Sequence, residues 1–292
     1  MESVASGLSW GVLQRLEFIE FRLFWEGGIN RGEITRFFSV SVPQASKDLS
    51  QYQELAPDNL RYDRSEKRYF VAASFEPVFL RPDADQYLAQ LARVKNQGGT
   101  KNDSWLLAPP STDTLPLPHR RVEVGILRPI LAAIRKGKSV EIFYQSMGRK
   151  RSEPTWRGIS PHAFGNDGSR WHVRAFCHID EKFKDFLLSR CTDVRPLGAA
   201  AAKPEDDRDW SEYLDVILIP NPELGVSQRK AIELDFDMRD GKAVIPVRRA
   251  LLFYFYKRLR LDIADILNNP YETPVVVSNR KDCDAALSKP NQ

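Results

Sequence analysis

The stretch from Asn96 to Arg120, NQGGTKNDSWLLAPPSTDTLPLPHR, restricts the fold more than any other part of the chain. Glycine and proline at this density interrupt helices and central strands, because proline lacks the amide donor and glycine must surrender extra backbone freedom. A chain of 292 residues broken in this way folds around more than one core. We expect an N-terminal domain over 1–80, a helical and Pro/Gly-rich linker over 81–121, a second domain over 122–200 and a third over 201–292.

Before the break, Val12, Leu16, Ile19 and Leu23 fall at i, i+4, i+7 and i+11, the stripe of an amphipathic helix that Gly27-Gly28 ends. GEITRFF predicts a short second helix with Ile34, Phe37 and Phe38 inward. Ser41 is a good N-cap, Pro43 lies in the first turn and Gln44 stands where a capping box places it, so a third helix should run from Val42 to Leu55. LRYDRSEKRYFVA then reads as a hairpin, and a further helix over 83–96 should carry Tyr87, Leu88, Leu91 and Val94 on one side.

Helix, helix, turn, helix and hairpin is the order of a winged helix-turn-helix. The second helix of such a pair enters the major groove, which makes Gln44, Ala45, Ser46, Lys47 and Ser50 base readers or phosphate contacts, with Ser41 at a helix N-terminus that attracts phosphate. Arg61, Arg64, Lys67 and Arg68 on the hairpin would follow the DNA backbone. A three-helix bundle with solvated charges is the plain alternative. Net charge of +4 permits nucleic-acid binding without requiring it, and the first eighty residues carry at least as many acids as bases.

Beyond the break, a helix over 122–136 leads into four strand-like runs: SVEIFYQS, RGISPHAF, RWHVRAFCH and KDFLLSRC. Two-residue alternation places Val140, Ile142, Tyr144 and Ser146 on one face, and separates Trp171, Val173 and Ala175 as core from Arg170, His172 and Arg174. Arg190 ends the last run. If Tyr144, Ser146, Arg157, His162, His172, Arg174 and Arg190 converge at a barrel mouth, their donors suit a phosphate-bearing nucleotide or oligonucleotide. Each has a plain alternative: Ser146 and Arg149 to Arg151 as a solvated turn, His162 as a loop cap, Arg174 paired with Glu141 or Asp185. Trp171 and Phe186 read as core. In the last third DVILIPNPEL, AIELDFDM and VVVS look like strands and VRRALLFYFYKRLRLDIAD like a helix, whose apolar residues suit either its own core or a dimer interface.

The runs IFYQSMGRKR, RGISPHAF, RWHVRAFCH and DFLLSRC resemble the WYL domain over residues 122–198, with Trp171-His172-Val173 at the tripeptide that names the family. Together with the head and tail they are similar to the phage-defence-associated repressors of the BrxR/CapW type, which accompany BREX, CBASS and related operons. The resemblance implies an α+β multidomain chain: a winged helix-turn-helix, a central Sm/SH3-like β-barrel and a small C-terminal α/β dimerisation domain. It further implies a homodimeric repressor; a two-fold helix-turn-helix protein should read a double-stranded inverted repeat, and we expect a nucleotide or nucleic-acid ligand in the WYL domain to relieve repression. Two other roles stay open, an accessory subunit that binds single strands and modulates a defence enzyme, and an activator responding to DNA damage. His172 stands where the tripeptide has Tyr, which puts a tyrosine-borne ligand contact in doubt.

Enzyme chemistry finds no motif. The histidines His119, His162, His172 and His178 lack zinc-ligand spacing, and no Walker loop, G-x-G-x-x-G or G-x-S-x-G occurs, so no catalytic residue, metal or cofactor is expected. Cys177, Cys191 and Cys283 are too few and too dispersed for a disulfide framework. No run approaches the roughly 18 apolar residues of a membrane span, and the N-terminus lacks a secretory pattern, so the expected location is the cytoplasm with no membrane partner.

Overall fold

The computed structural model describes residues 7–96, 104–118, 120–148 and 153–288. His119 and the turn residues Arg149 to Arg151 lie outside them. The chain divides into two compact units, 1–116 and 117–292.

In the first unit, α1 (Trp10–Glu26), α2 (Arg31–Phe38) and α3 (Val42–Leu55) surround Leu16, Ile19, Leu23, Ile34, Ala45, Leu49 and Tyr52, none of them solvent-exposed. α1 ends at Gly27 in the left-handed conformation, φ 75°. A full capping box opens α2, not α3: Asn30 accepts from Glu33 N while Glu33 accepts from Asn30 N, each at 3.0 Å. At α3 only half of the expected box forms, since Ser41 Oγ caps Gln44 N but the Gln44 side chain turns to Asp48. The wing has three antiparallel strands where a two-stranded hairpin is expected. β2 (Leu60–Asp63) pairs with β3 (Arg68–Val71), and β1 (Gly28–Ile29) pairs with the other edge of β3.

A buried carboxylate fastens the chain leaving the wing. Glu20 of α1 accepts hydrogen bonds from Tyr52 Oη (2.9 Å) and from the backbone N–H groups of Val78, Phe79 and Leu80. Such charge-assisted bonds are the strong ones, and four on one carboxylate hold this segment to the core. α4 (Ala84–Asn96) follows; Leu91 is buried as expected, whereas Leu88 faces outward.

In the second unit, α5 (Val124–Lys136) covers one face of a five-stranded antiparallel sheet. Its strands are β4 (Lys138–Tyr144), β5 (Thr155–Asn166), β6 (Trp171–Cys177), β7 (Lys182–Leu187) and β8 (Cys191–Ala199), in the order β7-β6-β5-β4-β8. Among the described residues no pairing joins β7 to β8, so strand pairing does not close the expected Sm/SH3-like barrel. Val140, Ile142, Tyr144, Ile159, Val173, Ala175 and Phe186 meet Ile126, Ile130 and Ala133 of α5 in one core. Trp171 has the right alternation for that core but lies at the strand's end and is 55% exposed, correcting its expected burial.

The remaining elements are α6 (Arg208–Ser211), β9 (Tyr213–Pro220), α7 (Val226–Asp235), β10 (Ala243–Arg248), α8 (Leu252–Arg258), α9 (Ala264–Leu267), β11 (Val275–Val277) and α10 (Arg280–Ser288). A small sheet β10-β9-β11 packs with α8 and α10 around Val216, Leu218, Leu252, Tyr256 and Cys283. AIELDFDM forms the end of α7 and a turn, not a strand, and the expected long helix from Val247 begins instead with the end of β10 and a short 3-10 turn. No described helix is long and apolar enough to cross a membrane.

Candidate nucleic-acid interface and ligand site

α3 presents two faces. Ala45, Asp48, Leu49 and Tyr52 are buried, while Ser41, Lys47 and Ser50 are exposed and Gln44 and Ser46 half-buried. Ala45 is a core residue with no exposed surface and is removed from the expected reading face. Asp48 is held by Arg15 of α1 through Nε (2.7 Å) and Nη2 (3.1 Å), and takes Gln44 Nε2 at 2.9 Å.

The wing arginines divide. Arg64 and Lys67 stand exposed at a tip built by Asp63, whose Oδ1 accepts from the N–H groups of Ser65 and Glu66; Lys67 adopts φ 50°. Arg61 lies over the Phe70 ring at 5.4 Å. Arg68 bonds Glu33 Oε1 (2.8 Å) and Gly28 O (2.6 Å), so it ties the wing to α2 and is not a free phosphate contact.

The seven expected ligand residues do not form one pocket, because a sheet has two faces. Tyr144 and Arg157 lie on the face that α5 covers. Arg157 is 3% exposed, its Cζ sits 5.5 Å from the Tyr144 ring centroid, and its Nε and Nη2 have no hydrogen-bond partner. Tyr144 Oη accepts from Leu187 N at 3.3 Å, and burial pushes its hydroxyl pKa up. Arg190 lies close enough for its charge to act on the Tyr144 hydroxyl; its Nη2 bonds Met147 Sδ at 2.8 Å, and its carbonyl accepts from Gln145 N. Ser146 follows two residues on, its Oγ occupied by Gly148 N. Tyr144, Arg157 and Arg190 therefore gather at the end of β4, with Ser146 in the turn just beyond.

His162, His172 and Arg174 occupy the opposite face, under the C-terminal segment; His172 and Arg174 are buried and the His162 side chain is 6% exposed, so none opens to a barrel mouth. Arg174 donates to Asp207 from Nε (2.7 Å) and Nη2 (2.9 Å) and to Asp185 from Nη1 (3.3 Å). His162 Nε2 lies 2.9 Å from Asp207 Oδ2. Tyr254 of α8 donates to Asp185 (3.1 Å) and packs its ring against His172 at a tilt of 43°, and His172 Nε2 lies 3.1 Å from Asp167. Burial opposes ionisation of Asp207, but hydrogen bonds from His162 and Arg174 and the guanidinium charge outweigh it and hold its pKa down at about 2. Asp167 is held below the usual carboxylate range in the same way by His172 and Arg170. Gly165 lets the C-terminal segment approach closely here: a Cβ on it would come 3.1 Å from Leu251 Cδ2, and that side chain would have to shift by a few tenths of an ångström.

Sequence reasoning missed Asp207, Asp167 and Tyr254. Asp207 sits in AAAKPEDDRDW, read as an acidic spacer; its place as N-cap of α6, accepting from Trp210 N, is the signal that points to it. Among the described residues no group of three or more His, Cys, Asp or Glu side chains is arranged to hold a metal.

Comparison with known proteins follows this division. The BrxR transcriptional regulator winged helix-turn-helix domain matches residues 11–93, the WYL domain 125–196 and the BrxR C-terminal dimerization domain 213–283. Winged helix, WYL domain and dimerization domain in this order are the architecture of a transcriptional regulator. The DNA-binding transcriptional repressor CapW of Escherichia coli strain KTE188 is 38% identical over 97% of this chain and 94% of its own length. CapW of Pseudomonas aeruginosa is 39% identical over 94% and 91%. The chain belongs to the BrxR/CapW family of winged-helix WYL regulators. Among solved structures, proteasome accessory factor B/C of Arthrobacter aurescens aligns over 97% of this chain at 17% identity and a TM-score of 0.27. This chain spans about half of that protein, covering 49% of it, and the likeness is too slight to bear on the fold.

Proposed function

We propose that this chain is a dimeric, DNA-binding transcriptional repressor of a phage-defence operon, whose WYL domain takes a phosphate-bearing ligand that lowers its affinity for an inverted-repeat operator. The observation that carries the DNA-binding part is the division of α3: Ala45, Leu49 and Tyr52 fix it to the core, while Gln44, Lys47 and Ser50 stay available to base edges and phosphates. The naming of CapW relatives as DNA-binding repressors and the match to a dimerization domain support the same reading. A two-fold dimer reads paired half-sites.

Arg157 supports the ligand part. A guanidinium stays charged, and burying it with two of its nitrogens, Nε and Nη2, unpaired is costly unless an anion completes them. Tyr144 and Arg190 add a ring and a second cation at the same place. The ligand acts on DNA binding only if its affinity differs between the two states of the dimer.

The test is a mobility-shift titration of the full chain on the duplex upstream of its gene. Wild type should prefer that duplex to random duplex and to single strands. Replacing Arg64 and Lys67 together with alanine should weaken binding to all duplexes alike and reduce the salt slope by about two, one phosphate contact each. Equal binding to single strands and random duplex would sink the reading.

A further inference from the structure

Gln44 and Asp48 stand one turn apart on α3, and Asp48 has no solvent exposure. Arg15 holds the carboxylate from the α1 side, and the remaining acceptor capacity of Oδ1 goes to Gln44 Nε2 at 2.9 Å. An ionised carboxylate only accepts, so the amide is fixed with nitrogen toward Asp48. What Gln44 has left to offer is one N–H and its carbonyl oxygen.

That pair matches one base edge. Adenine shows an acceptor at N7 beside a donor at N6 in the major groove, whereas guanine shows two acceptors, N7 and O6. To satisfy guanine, Gln44 would have to turn both N–H groups to the base, leaving a buried carboxylate short of a partner. We infer that Asp48, braced by Arg15, is a positioning residue that makes Gln44 an adenine reader. The inference rests on the proposal that α3 enters the major groove.

Selection of full-chain protein against a library of duplex inverted repeats with randomised half-sites tests it. Wild type should enrich adenine at one half-site position, and Gln44→Ala should lose that preference alone. Asp48→Asn offers Gln44 both a donor and an acceptor, so either amide orientation is satisfied; the adenine-over-guanine preference at that position should fall about tenfold with the other positions retained. Uniformly weaker binding with an unchanged preference assigns Asp48 a purely structural role and overturns the inference. If Asp48→Asn does not fold, wild type is titrated with operators carrying 7-deazaadenine or purine at that position. Each should cost about tenfold, removing one of the two hydrogen bonds, and unchanged affinity for both overturns the inference. Wild type that enriches no sequence at all refutes the DNA-reading proposal instead.

Discussion

Replacing Asp207 with alanine should destabilise the unit over 117–292 by about 3–5 kcal/mol, the usual cost of removing one partner from a buried ion pair. Asp207 accepts two bonds from Arg174 and one from His162, and their side chains are only 3% and 6% exposed. Without it the guanidinium keeps its charge with Asp185 as its main remaining partner. The same carboxylate caps α6 through Trp210 N, so the chain's approach to β9 loosens as well. Urea denaturation with hydrogen exchange over β6 and α6 reads this directly, and the head should keep its own protection. A loss below about 1 kcal/mol would show that Arg174 finds another partner. Acid should act in the same direction. The folded pKa of Asp207, about 2, lies below its ordinary 3.8, so its contribution is fully present above pH 4 and is lost as pH falls from about 4 toward 2. That contribution is on the order of 2 kcal/mol, and Asp207→Ala should flatten this part of the stability profile.

The head was legible because its helices are amphipathic and its punctuation is local. The stripe Leu16, Ile19, Leu23 and the Ser41 cap mark helix ends that any tertiary context would respect. β1 was not legible, since two residues carry no period. β8 was hidden for a different reason: almost all of it is exposed, and Pro196 and Gly198 lie within it, so it offers no apolar alternation. AIELDFDM misled because Ile232, Leu234, Phe236 and Met238 alternate like a strand. Leu234 is in fact 74% exposed on α7, and the other three pack around the helix end. In the WYL domain, alternation correctly grouped His172 with Arg174, and Tyr144 with Val140 and Ile142. It cannot say which groups on different strands share a face of the sheet. A bulge at Pro161–Ala163 also shifts the register beside His162. The seven expected ligand residues therefore divide between the end of β4, with Tyr144, Ser146, Arg157 and Arg190, and the ion-pair network beneath α8.

Replacing Arg157 with methionine should raise stability while abolishing the response to ligand. Stabilising contacts for Arg157 in the free protein include the Tyr144 ring, a cation–π contact of about 1–2 kcal/mol at a desolvated site. Against this stands a charge buried on the core face with Nε and Nη2 unpaired. Methionine fills much the same volume without that penalty, and exchange of buried charges for apolar side chains commonly gains about 1–4 kcal/mol. A folded state that carries such a cost usually does so at a site where a partner arrives later. In wild type a bound phosphate-bearing ligand should stabilise by about 2.7 kcal/mol at one hundred times its dissociation constant. Thermal melts with a nucleotide and oligonucleotide series, and inorganic phosphate as the minimal probe, should show that shift in wild type and none in Arg157→Met. Operator affinity without ligand should be equal in the two proteins, because α3 and the wing are untouched. A destabilised Arg157→Met, together with a wild type that no anion stabilises, would make Arg157 a packing residue and remove the ligand site from the WYL domain's core face.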